Sequence, residues 1–95
     1  MDRKDEKLII AGAGPAGVSA ALYAARSGLT PLVLHKDGGA LEKAKSIENY
    51  YGLPNPVSGK ELYYNGISQI EALGVPVRKE ELLAISYDGE YTVQT

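Results

Sequence analysis

The 95-residue chain carries 10 Lys+Arg against 12 Asp+Glu, a formal charge of −2, which excludes the strongly basic electrostatics of a nucleic-acid binder. With 44% hydrophobic and 23% charged residues it has the composition of an ordinary globular domain, and its length allows one core. No cysteine and one histidine exclude a disulfide framework, a thiolate metal site, a thiol redox centre and a multi-histidine metal site within these residues.

The first seven residues mix acids with bases and read as a solvated tail. The mostly apolar stretch 8–25 is read neither as a secretory signal nor as a membrane span. The leader is not plainly cationic, and Gly12, Gly14, Pro15 and Gly17 interrupt the run. A cytoplasmic location without a membrane partner is the expectation. Residues 7–11 form a short apolar run without alternation, the pattern of a strand buried on both faces of a parallel sheet. From Pro15 the period changes to that of a helix. Gly17, Ala20, Ala21, Ala24 and Gly28 make a small-residue stripe, Pro15 suits the first helical position, and Gly28 suits the stop. A second buried strand is predicted over 30–35.

Residues 36–59 show little periodicity and contain Gly38, Gly39, Pro54 and Pro56, so a long loop is expected there. Ser58 and Glu61 have capping-box spacing, opening a helix with Tyr63, Ile67 and Ile70 on one face and a stop near Gly74. A third strand follows over 75–78. Strands over 82–87 and 90–95 flank Asp88-Gly89, the signature of a two-residue hairpin turn. The fold class is therefore α/β, with a Rossmann-like parallel sheet followed by a β-hairpin.

The chemistry sits in Gly12-Ala13-Gly14-Pro15-Ala16-Gly17, a G-x-G-x-x-G sequence between a predicted strand and a predicted helix. The first glycine permits the turn, the second removes a side chain where a pyrophosphate approaches the backbone, and the third lets helix and strand pack closely. Free N–H groups and the dipole of the helix N-terminus then favour an anion. A glycine-rich turn without a ligand is the alternative, and the complete strand-turn-helix context weighs against it.

The run from Ile9 through the glycines to Leu29 resembles the start of thioredoxin reductase-like flavoproteins. Gly38-Gly39, the run Ile47-Glu48-Asn49-Tyr50-Tyr51-Gly52, and Ser58-Gly59-Lys60-Glu61-Leu62 resemble later landmarks of that family's FAD domain, in the same order. The resemblance spans 8–95 and implies FAD as the cofactor. It implies that Gly12, Gly14, Pro15, Ala16 and Gly17 surround the pyrophosphate, and that Gly39, Ala40 and Leu41 lie along the ribityl chain. Asn49 and Tyr50 are implied near the flavin ring, and the backbone at Leu82 near the adenine. Read from the residues alone, Asn49 also fits a turn in a Gly/Pro-rich loop.

Residues 1–95 are accordingly expected to be the N-terminal part of a single FAD/NAD(P)-binding domain. Its second half and the domain for NAD(P)H would lie elsewhere in a longer parent. The implied activity is NAD(P)H-dependent hydride transfer through flavin to an acceptor, and the resemblance admits a homodimeric parent. One departure bears on the nucleotide. Where the fold ordinarily places an acidic ribose acceptor, about 20 residues after the glycines, this chain has His35-Lys36, with Asp37 one step late. Basic groups there suit a 2′-phosphate, so an NADP-binding module stays open beside the FAD reading, as does a nonenzymatic nucleotide-binding module.

Overall fold

The computed structural model describes residues 7–95, so the charged leader lies outside the described residues apart from Lys7. Eight elements follow in chain order: β1 (Ile9–Ala11), α1 (Pro15–Arg26), β2 (Leu32–His35), α2 (Gly39–Lys43), α3 (Gly59–Ala72), β3 (Val77–Lys79), β4 (Ala84–Tyr87) and β5 (Tyr91–Gln94). The first three strands make a parallel sheet in the order β1-β2-β3, and the last two an antiparallel hairpin. Ile10 lies opposite Val33 in one register, and His35 opposite Lys79 in the other.

The central position of β2 explains its burial. Leu32, Val33 and Leu34 are all buried, and Val33 is fully so. β1 has one strand neighbour among the described residues, and its Ile9 and Ile10 are only half-buried, with Ala11 exposed. The expectation of a first strand buried on both faces is thereby corrected: its apolar run reflects membership of a parallel sheet, but its edge position leaves it partly open.

Helices α1 and α3 pack against each other, and Val18 and Ala21 of one meet Tyr63, Ile67 and Ile70 of the other in a core that includes Val33 and Val75. Burying a side chain of the size of Ile70 or Val33 contributes about 1.5–3 kcal/mol, so these few residues dominate cohesion. A Cβ at Gly66 would stand 3.4 Å from Val18 Cγ1, which places the close helix approach at that glycine. The α3 start is as predicted: Ser58 Oγ accepts from the Glu61 N–H at 3.0 Å. Such a cap contributes ~1 kcal/mol. The helix ends with Gly74 at φ +83°, a left-handed value that glycine adopts without steric cost.

Three further expectations need correction. The segment 36–59 is not wholly loop, because Gly39–Lys43 form a helix of five residues, too short to register as a period in the sequence. Its remainder is closed by reciprocal bonds between Ile47 and Val57, the N–H···O distances being 2.7 and 3.3 Å. The third strand lies at Val77–Lys79 rather than 75–78, since Val75 turns into the helical core instead. The hairpin pairs Tyr87 with Tyr91, so its connection has three residues, with Gly89 at φ +79°. A glycine in that region serves a three-residue loop as readily as a two-residue one.

Candidate functional site

The carboxyl ends of the three parallel strands bring together Ala11, His35 and Lys79, the edge at which open α/β sheets bind ligands. Gly12 follows β1 with φ +114° and donates its N–H to the Leu34 carbonyl at 2.6 Å, which ties the glycine turn to β2. Pro15 opens α1 as predicted, with Gly14 as its N-cap and no side-chain cap. No acidic residue stands in the first turn of α1, so the free N–H groups there face no competing carboxylate from their own turn.

The glycines of the motif differ in what demands them. A Cβ on Gly17 would run into the carbonyl oxygen of Gly12, so this glycine is required by helix-strand packing. Gly14 has an ordinary φ of −72°, and a Cβ there would meet nothing within 4 Å. Neither backbone conformation nor packing explains a glycine at 14, whereas a phosphate group lying against the backbone would. The residues at the N-terminus of α1 thus fit the pyrophosphate of a dinucleotide. Gly39, by contrast, has φ +56°, and its N–H donates to Asp37 Oδ1 at 2.8 Å, so local turn geometry already accounts for it.

Gly14 and Pro15 also line an open cavity of about 130 Å³ between α1, α2 and α3, together with Leu41, Tyr50 and Tyr63. Of the residues singled out in the sequence, the structure gathers Gly14, Pro15, Leu41 and Tyr50 at this cavity, and Gly12, His35 and Lys36 at the strand ends. Ala16 is exposed on the first turn of α1, Ala40 lies exposed on α2, and Asn49 is exposed beside Tyr50 without lining the cavity. Leu82 is half-buried in the segment between β3 and β4. That segment reaches the strand ends through Glu81, whose carboxylate lies 3.4 Å from Lys36 Nζ.

One residue of the site has no local sequence signal. Tyr63 of α3 is 2% exposed, and its hydroxyl lies 2.5 Å from His35 Nδ1. Burial pushes the His35 imidazole below its usual range, the Lys79 ammonium adds to this, and the Glu71 and Asp37 carboxylates oppose it. Burial likewise pushes the Tyr63 phenol up, aided by Glu42, Tyr64 and Asp37. Both shifts favour the neutral form of the group. The 28 residues between them put the pair beyond any motif, and only the docking of α3 beneath β2 creates it.

No family model matches the chain. Curated relatives do. A bifunctional thioredoxin reductase/thioredoxin of Mycobacterium leprae is 42% identical over 85 residues, which is 87% of this chain and 19% of that protein. Among solved structures, a thioredoxin reductase from Gloeobacter violaceus superposes with a TM-score of 0.86 at 33% identity, covering 92% of this chain and 28% of that one. A ferredoxin-flavin thioredoxin reductase from Clostridium acetobutylicum gives a TM-score of 0.78 at 31% identity, covering 99% of this chain and 33% of that one. The chain spans between 19% and 30% of the length of the first curated relatives it matches. In sequence and in fold the chain is similar to a segment of thioredoxin reductases.

Proposed function

We propose that residues 1–95 form the FAD-cradling part of a single FAD/NAD(P)-binding domain in an NAD(P)H-dependent, thioredoxin reductase-like oxidoreductase. The observation that carries this reading is the open space at Gly14, where the protein itself gives no reason for glycine. The likeness to thioredoxin reductases supports FAD as the dinucleotide. When bound, FAD supplies the electron chemistry, taking hydride from a nicotinamide and passing reducing equivalents to an acceptor. The part played by these residues is binding and orientation. The N-terminus of α1 offers its N–H groups to the pyrophosphate between Gly12 and Gly17. Gly39, Ala40 and Leu41 are assigned to the ribityl chain, Asn49 and Tyr50 to the flavin side, and Leu82 to the adenine side. The Asn49 amide can both donate and accept, as the polar edge of a flavin ring requires. The nicotinamide is assigned to residues of a longer parent.

The test is a titration of the purified protein with FAD, read by quenching of flavin fluorescence, beside Gly14→Val. The variant is expected to keep its far-UV circular dichroism and lose FAD binding, because the valine side chain occupies the pyrophosphate position. Equal affinity in a folded Gly14→Val protein overturns the assignment. A titration with NADP, read by isothermal calorimetry because NADP carries no flavin, separates the FAD reading from the NADP-binding module that His35-Lys36 suggests.

A further inference from the structure

His35 at the end of β2 pairs with Tyr63 of α3, a polar contact for which the pyrophosphate site has no use. The Tyr63 ring belongs to the buried core, and among the described residues its hydroxyl has one hydrogen-bond partner, His35 Nδ1. A phenol proton directed at the Nδ1 lone pair gives the Tyr63 hydroxyl an acceptor within the protein. An imidazole proton on Nδ1 would reverse the bond and turn the phenol proton toward the open cavity that Tyr63 also lines. With the phenol donating to Nδ1, the neutral ring carries its proton on Nε2, since the two nitrogens of a neutral imidazole divide into one donor and one acceptor.

His35 is the residue at which β2 runs out, next to the turn that Gly12 ties to Leu34, and it stands where this fold ordinarily presents a carboxylate to a ribose hydroxyl. We propose that Tyr63 is a positioning residue that fixes His35 as the neutral Nε2–H tautomer, so that β2 presents a hydrogen-bond donor to the adenosine ribose in place of an acidic acceptor. The inference rests on the dinucleotide reading above. A ribose hydroxyl can accept as well as donate, so the donor still serves it. The charged and titratable groups around the imidazole are Lys79 on β3, Glu71 and Tyr63 on α3, and Asp37 just after β2.

His35 is the only histidine in the sequence, so its ring can be observed without ambiguity in ¹⁵N-labelled protein by long-range ¹H–¹⁵N correlation. The expected result is a single Nε2–H tautomer in the wild type at pH 7.5. In Tyr63→Phe, which keeps the buried ring and removes only the hydroxyl, the tautomers mix and the imidazole titrates at higher pH. FAD affinity in the variant falls by about three- to tenfold, the worth of one hydrogen bond. An Nδ1–H ring in the wild type, or an unchanged tautomer in folded Tyr63→Phe, overturns this inference alone. Failure of the wild type to bind FAD while its ring is Nε2–H overturns the dinucleotide reading and, with it, the ribose contact.

Discussion

The two sheets of this molecule, one parallel and one antiparallel, differ most in what their strands bury. In the parallel sheet the central strand presents Leu32, Val33 and Leu34 wholly to the interior, and two helices close over it. In the hairpin every residue of β4 is exposed, and Ile85, Tyr87 and Tyr91 keep 57%, 65% and 75% of their surface open. The Tyr87 and Tyr91 rings face each other across the strands with centroids 4.7 Å apart, a cross-strand contact with little burial behind it. Hydrogen-bonded strands are thus only a frame, and cohesion comes from what the frame removes from water.

That difference predicts a steep gradient of mutational sensitivity. The largest effect is expected at the core: Ile70→Ala, at a fully buried position, should cost about 2–5 kcal/mol in urea unfolding. A loss under about 1 kcal/mol would mean that α3 is not part of the cooperative core. An intermediate effect is expected within the glycine motif. Gly17→Ala forces a methyl group against the Gly12 carbonyl and should cost about 1–3 kcal/mol through backbone displacement. Its stability loss then sets it apart from Gly14→Val, whose loss is one of ligand binding. The smallest effect belongs to the hairpin: Ile85→Ser should stay within about 0.5 kcal/mol of wild type in the same assay. A larger loss there would show that the hairpin is packed in solution, and would narrow the contrast between the two sheets.

Legibility in the sequence followed the range of the interaction. The glycine turn, Pro15 at the helix start, the Ser58 cap and the Gly74 stop all depend on neighbours within a few residues, and each stands where its pattern places it. The short helix at Gly39–Lys43 escaped because one turn and a half carries no readable period. The three-residue hairpin connection escaped because Asp-Gly suits more than one turn length. Edge exposure of β1 escaped for a different reason: strand order belongs to the assembled sheet rather than to any window of residues.

The candidate site divides along the same line. The sequence by itself determined the glycine turn between strand and helix, since glycine at 12, 14 and 17 constrains backbone geometry locally. It also determined the absence of an acid at the end of β2, because His35 can be read by counting from the glycines. The tertiary structure alone decided that Gly14, not Gly17, is the glycine left unexplained by packing, since that depends on which atoms surround each Cβ position. It alone gathered Leu41 and Tyr50 beside Pro15, and it alone gave His35 a buried phenol as partner across 28 residues. Propensity and capping act along the chain, whereas cavities and hydrogen-bond partners arise only when separate elements dock, and no local pattern encodes them.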